Sequence, residues 1–422
     1  MSNFEIDRRD FLKGAMAGAV LLLTAEDILA AEEAKSDGEK PIPGPPVAIG
    51  VIGLGTWGRQ LATTLSKMPS AKIAAICDTY QPYVDRAKKT AADAATFNDY
   101  KKLLESKDIE AVIVATPSHL HKQIAIDAIA AGKHVYCEAP IAVTVEEAKA
   151  IALAGKGSSK VFQVGLQGRS NLLYRHVEKF VRSGALGKTA QVYAQSNKKQ
   201  QRWRAAPDQS REREINWRLF KATSAGLAGE QGVHPIDLAN WYLNGLPIAA
   251  TGFGSNILWE DAGDMPDTVQ CVIEYPNSVR MVFVSTMASS FSGEYTLFQG
   301  SDSSLALREN RGWMIKEADS PLLGWEVYAR KEMCFEETGI CMIVDATKIL
   351  KEGKEPGKEG PVSPTKEPLY CALENFTRSI RESSKPACGA VEGYQAAVVA
   401  IKANEAVVTG SRIAYQKEWF DI

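Results

Sequence analysis

The sequence predicts an α/β protein of two domains, an N-terminal doubly wound parallel sheet followed by a C-terminal α+β domain on a broad sheet. Three observations carry this expectation. A glycine turn, G-x-G-x-x-G at Gly53, Gly55 and Gly58, joins an apolar strand-length run to a helix pattern. Strand and helix patterns then alternate as far as "KVFQVG" near residue 165. Beyond it, runs such as "TVQCVIEY", "SVRMVFVST" and "EYTLFQG" alternate with period two, as half-buried strands do.

Residues 1–31 are read as a leader rather than as fold. Arg8 and Arg9 precede Phe11-Leu12-Lys13, an apolar run from Ala15 to Thr24, and the small residues Ala30 and Ala31. The apolar run is shorter than the roughly 20 residues that span a bilayer, so it fits a signal peptide, and the arginine pair resembles a twin-arginine signal. The expected location is therefore periplasmic or extracellular, reached in the folded state through the twin-arginine machinery, with no stable membrane insertion. A charged, proline-rich tether, "EEAKSDGEKPIPGPP" at 32–46, follows.

Composition narrows the classes further. The 422 residues are 45% hydrophobic and 24% charged, with a formal net charge of −2. Residues 1–31 hold three basic and five acidic residues, so the mature chain carries no formal net charge, which gives no reason to expect nucleic acid as a partner. Seven scattered cysteines and five histidines form no metal-ligand spacing, and no metal is predicted.

From residue 47, "VAIGVIGLGTWGRQLATTLSKM" reads as strand, turn and helix, the helix placing Trp57, Leu61, Leu65 and Met68 on one face. In a dinucleotide-binding turn the first glycine permits the bend. The second lets backbone approach a pyrophosphate, and the third lets helix and strand pack closely. Thr56 and Trp57 stand at the helix N-terminus, whose free N–H groups suit phosphate. The next strand, "KIAAICD", ends at Asp78, 20 residues beyond Gly58, where an acid accepts the adenosine ribose hydroxyls and repels a 2′-phosphate. NAD is thus expected over NADP.

"EAVIVATP", "HLHKQIAIDAIAAG", "KHVYCEAP", "TVEEAKAIALAG" and "KVFQVG" continue the alternation, with "ATP" and "CEAP" at strand carboxyl ends, where ligands of such sheets bind. The first domain is placed at 47–167 and the second at 168–422. "EYPNSVR" reads as a hairpin turn, and "KKQQRWRAAPDQSREREINW" as a solvated loop, with a lid or an arm to another subunit as the sharper alternative.

The motifs "GLGTWG", "ATPSHLH", "AAGKHVYCEAPIA", "VGLQGR", "GEQGVHPIDLANW" and the closing "LENFTRSIRESSKPACGAVEGYQAAVVAIKANEAVVTGSRI" together resemble the Gfo/Idh/MocA family, named after glucose-fructose oxidoreductase and inositol dehydrogenase. The resemblance implies a Rossmann domain followed by a large, mostly antiparallel sheet, tightly held NAD(P), a sugar or cyclitol substrate and homo-oligomers. It places Thr116, Pro117, His121, Glu138 and Pro140 around the nicotinamide, His121 rather than His119 facing the site. The family's lysine between Glu138 and Pro140 is here Ala139, which cannot donate a hydrogen bond. The family's acid, four residues before its histidine, corresponds to Glu230 and His234. With a reference pKa of about 6.5, His234 suits acid/base work, and Glu230 would orient it or hold a hydroxyl.

Asp237 would anchor a substrate hydroxyl or cap the helix. Trp217, Arg218 and Arg169 are candidate sugar contacts or packing residues. Three functions follow: a sugar oxidoreductase, ranked first; a glycoside hydrolase or lyase that oxidises its sugar transiently; and a sugar-binding protein with a vestigial cofactor site.

Overall fold

The computed structural model describes residues 41–422 apart from 202, 259–262, 323–325, 327–328 and 345–365. The expected leader and most of its tether lie outside the described residues. Among the described residues no helix is long and apolar enough to cross a membrane.

The first sheet contains β1 (Val47–Ile52), β2 (Ala71–Cys77), β3 (Ala95–Phe97), β4 (Ala111–Val114), β5 (His134–Cys137) and β6 (Phe162–Val164). Their spatial order is β3-β2-β1-β4-β5-β6, and every neighbouring pair is parallel. The order reverses beside β1, which opens a crevice at the strand carboxyl ends. β4 is buried at all four residues, as a parallel strand covered on both faces must be. β3 was not legible in the sequence, because three residues at a sheet edge carry no readable period.

Helices α1 (Thr56–Leu65), α2 (Gln81–Lys88), α3 (Tyr100–Glu105), α4 (His121–Ala130) and α5 (Val145–Gly157) connect these strands. Thr144 caps α5 by accepting the Glu147 N–H at 3.2 Å. After β6 come α6 (Leu172–Arg182), the short α7 (Glu212–Ile215) and α8 (Gly226–Glu230), then α9 (Val233–Tyr242) and, near the C-terminus, α10 (Pro368–Glu382) and α11 (Ala390–Thr409). Leu369, Leu373 and Phe376 of α10 share one core with Val47, Ile49, Leu61 and Leu65. A helix from the far end of the chain thus completes the first domain.

The second sheet comprises β7 (Thr189–Asn197), β8 (Ala249–Ser255), β9 (Thr268–Glu274), β10 (Arg280–Thr286), β11 (Glu294–Gly300), β12 (Ser303–Arg308), β13 (Arg311–Lys316), β14 (Lys331–Cys334), β15 (Glu337–Cys341) and β16 (Ile413–Ala414). All its pairs are antiparallel except β7 with β10. The β9–β10 hairpin turns through Pro276–Ser278, and Asn277 takes the left-handed conformation at φ 61° that asparagine tolerates. Val269, Cys271, Ile273, Met281 and Phe283 are buried in alternation along these strands and pack in one core with residues of α9 and α11. All seven cysteines are buried and unbonded to one another.

Candidate active site

The glycine turn does what its spacing predicts. Gly53 sits at φ +94°, and a Cβ there would stand 2.7 Å from the Ala115 carbonyl. A Cβ on Gly58 would lie 1.8 Å from the Gly53 oxygen, so β1 and α1 approach this closely only with hydrogen at that position. On Gly55 a Cβ would meet no protein atom within 4 Å, because that side of the turn opens into a cleft.

The cleft has a volume of about 1650 Å³ and runs from this turn to the second sheet. Asp78 lies on its wall, one carboxylate oxygen accepting the Leu54 N–H at 2.7 Å and the other the Tyr80 N–H at 2.8 Å. These bonds leave each oxygen a lone pair for a ribose hydroxyl. Thr116, Pro117, Glu138 and Ala139 line the same cleft, and Thr116 Oγ1 and Glu138 Oε1 are buried with no hydrogen-bond partner. Buried polar atoms left without partners inside a cavity mark positions that a ligand fills. Burial pushes the Glu138 carboxyl up to about 7, only partly opposed by the Trp57 side chain and the Ala139 backbone. The set fits a dinucleotide: an open glycine for the pyrophosphate, Asp78 for the adenosine ribose, and Thr116 and Glu138 near the nicotinamide.

His121 lines the cleft but is deeply buried there. It is 1% exposed, with Nδ1 3.0 Å from the Pro140 carbonyl and Nε2 2.9 Å from the Thr116 carbonyl. Burial pushes its pKa to about 4 against the pull of those two oxygens. The neutral ring has one N–H and donates it to one of these two carbonyls, standing between the turn after β4 and the turn after β5. His119 bonds the Thr223 carbonyl at 3.2 Å and tilts against the Trp217 ring.

Glu230 closes α8, and His234 lies in the first turn of α9. The two do not hydrogen-bond. One Glu230 oxygen accepts Ser118 Oγ at 3.0 Å, the other accepts the Ala225 N–H at 3.2 Å and Ser224 Oγ at 3.4 Å, and Arg218 Nε stands 4.0 Å away. Burial raises the Glu230 carboxyl and Arg218 opposes it. His234 keeps both nitrogens free of partners among the described residues and opens into the cleft. Its depth in the molecule pushes its pKa below 6.5, and the carboxylate whose field opposes this belongs to Glu294, at the start of β11. Ser118 and Glu294 were missed in the sequence. Ser118 lies inside the quoted "ATPSHLH", and nothing local marks Glu294.

Asp237 and Arg169 find each other. Arg169 Nε and one terminal nitrogen donate to the Asp237 carboxylate at 2.8–3.0 Å, and the guanidinium lies 5.5 Å from the Trp241 ring. Asp237 is neither a cap nor an unengaged anchor, being inside α9 with its carboxylate taken; Arg169 is spent on it and forms no part of the cleft lining. Burial pushes the Asp237 carboxyl up and Arg169 works against that. Arg169→Ala would strand this carboxylate, whose side chain is 4% exposed. A loss of about 3–5 kcal/mol in urea unfolding is expected, with little recovery in Arg169→Lys. A fall in sugar affinity at unchanged stability would instead make the pair a substrate contact.

The charged loop is a wall of the cleft, contrary to the expectation of a merely solvated segment. Arg204, Arg211 and Glu214 face the cavity, as do Trp217 and Arg218. The Arg211 guanidinium stacks 4.6 Å from the Tyr80 ring, two residues past Asp78, so the loop reaches the adenosine end. The buried Asn216 clasps the loop through the backbone of Arg204 at 2.7 and 2.9 Å.

Two family models match this chain. The oxidoreductase family with NAD-binding Rossmann fold covers residues 47–166, and the GFO/IDH/MocA C-terminal domain covers residues 174–306. The chain belongs to the Gfo/Idh/MocA family of oxidoreductases. It is 31% identical over 202 residues to levoglucosan dehydrogenase of Pseudarthrobacter phenanthrenivorans, covering 46% of this chain and 50% of that one. It is 38% identical over 162 residues to alpha-N-acetylgalactosaminidase of Shewanella oneidensis, covering 34% and 35%. The structure of a levoglucosan dehydrogenase in complex with NADH and L-sorbose superposes with a TM-score of 0.70 at 22% identity, over 88% of this chain and 99% of that one. In this Gfo/Idh/MocA chain the glycine turn and α9 line one cleft.

Proposed function

We propose that this Gfo/Idh/MocA protein is an exported, NAD-dependent oxidoreductase acting on a sugar or sugar derivative. The observation that carries the reading is the single cleft that joins the glycine turn, the partnerless Thr116 Oγ1 and Glu138 Oε1, and an unpaired His234. Bound NAD supplies the hydride acceptor for a carbinol carbon. His234 takes the hydroxyl proton as the carbonyl forms, and returns it when the reaction runs backwards. Glu230, held by four groups, fixes Arg218 and the Ser118 turn against the substrate end.

Asp78 favours NAD over NADP. Arg211, stacked on Tyr80 two residues past Asp78, supports tight retention of the cofactor, as an exported enzyme loaded before transport requires. Arg8 and Arg9 support export by the twin-arginine route to the periplasm or beyond. The ten-stranded sheet offers a surface for a homo-oligomer.

Ala139 favours a second reading. Without a lysine beside the substrate hydroxyl, net oxidation loses one proton relay, while a glycosidase that oxidises its sugar transiently needs bond cleavage as its outcome. The glycosidase relative supports the same alternative. The test is product mass analysis after incubation with free sugars and glycosides and no added cofactor. A dehydro-sugar stoichiometric with enzyme, or formed repeatedly with an added sugar acceptor, is expected. Aglycone release over many turnovers with NAD unchanged would establish the second reading.

A further inference from the structure

Four arginines face the cleft, and two of them have a close carboxylate: Arg211 pairs with Glu214 at 3.1 Å and Arg311 with Glu332. Arg204 and Arg218 differ. The Arg204 side chain has no hydrogen bond or ion pair among the described residues and is exposed. Arg218 is 56% exposed on its side chain, with its guanidinium carbon 4.1 Å from the centre of the Trp217 ring. Its one acidic neighbour, Glu230, stands 4.0 Å away and already accepts from Ser118, Ser224 and Ala225.

The backbones that carry the two arginines are tied together, and both side chains line the same cleft. Asn216 is 3% exposed and directly precedes Trp217-Arg218; it donates to the Arg204 carbonyl at 2.9 Å and accepts the Arg204 N–H at 2.7 Å. Loss of bulk water deep in the cleft pushes the Arg218 pKa below its ordinary value although the side chain is open to the cleft; Glu230 opposes this and the Arg204 charge adds to it. Two arginine charges facing one cavity repel each other, and an anion bound between them offsets that repulsion.

We infer that Arg204 and Arg218 form a fork for an oxyanion substituent, so that the substrate is an acidic sugar, carrying a carboxylate or a sulfate. This rests on the sugar oxidoreductase reading for the identity of the ring, and on the arginines alone for its charge. The cofactor pyrophosphate is the other oxyanion that could reach the cleft, but the open face of Gly55 and the N-terminus of α1 already provide for it.

The test uses the NAD-loaded protein, titrated calorimetrically with gluco-, galacto- and mannuronate, their methyl esters, and the corresponding hexose 6-sulfates. At least one acid is expected to bind tenfold or more tightly than its ester, with the uronates and sulfates telling carboxylate from sulfate. Arg204→Gln should remove that difference and leave ester binding as it was. Arg204→Lys should restore part of it, since lysine keeps the charge and loses the fork. NAD affinity of the stripped Arg204→Gln protein should be unchanged. A panel in which no acid outbinds its ester, an empty panel included, overturns the inference. So does a fall in NAD affinity with the acid-to-ester ratio intact, which would assign the arginines to the pyrophosphate. Arginine-dependent binding of an acid without hydride transfer would leave the fork standing and remove the oxidoreductase reading; hydride transfer from neutral sugars, indifferent to Arg204, would do the reverse.

Discussion

Replacing His234 by asparagine should lower kcat about 10²–10⁴-fold, the usual contribution of a placed acid/base group, while KM changes little. The pH profile separates this from a packing effect. His234 opens into the cleft, and its depth in the molecule holds its pKa below 6.5, so the ring is neutral at pH 7 and ready to accept the hydroxyl proton. In the oxidation direction the rate should therefore rise with pH through a midpoint below 6.5 and stay level above it. The asparagine variant should retain its fold and lose that acid limb altogether. A midpoint above 7, or a limb that survives the substitution, would assign the proton to another group, with the Glu138 carboxyl, pushed up to about 7, as the first candidate.

The glycine turn supports a second large effect, read as a contrast between two alanine substitutions. A Cβ on Gly58 would collide with the Gly53 oxygen at 1.8 Å, whereas one on Gly55 would meet nothing within 4 Å. Gly58→Ala must push α1 away from β1, at about 1–3 kcal/mol for such overpacking, and should lower the unfolding midpoint of NAD-free protein as well as its NAD affinity. Gly55→Ala should leave the NAD-free protein as stable as before and cost about 100-fold or more in NAD affinity, because its methyl stands where the pyrophosphate approaches. Denaturant unfolding and NAD titration on the same two variants decide the matter. If Gly55→Ala bound NAD normally, the open space at that glycine would not be the phosphate seat.

Much of this architecture could be read from the chain without coordinates. The strand-turn-helix at residues 47–68, Asp78 at the next strand end and the hairpin at "EYPNSVR" are local features. Their residue types report a turn conformation or a buried face directly, because each constraint acts within a few residues. The Gfo/Idh/MocA resemblance likewise located Glu138, Ala139, Glu230 and His234, all of which line one cleft.

Which groups stay available to a ligand was not legible. Arg169 and Asp237 are 68 residues apart and cancel each other; Ser118 reaches Glu230 across 112 residues; His121 stands between the carbonyls of Thr116 and Pro140. A side chain's type states what it can bond, but burial obliges it to bond whatever the fold brings near, and those partners come from distant segments. By itself the sequence determined the α/β plan, the dinucleotide turn and the candidate residues Glu230 and His234 that line the cleft. Tertiary structure alone decided that the charged loop walls the cleft, that Glu230 serves Arg218 and Ser118 in place of His234, and that the Arg204 side chain is left without a partner among the described residues, because pairing of polar groups is settled by three-dimensional proximity and not by spacing along the chain.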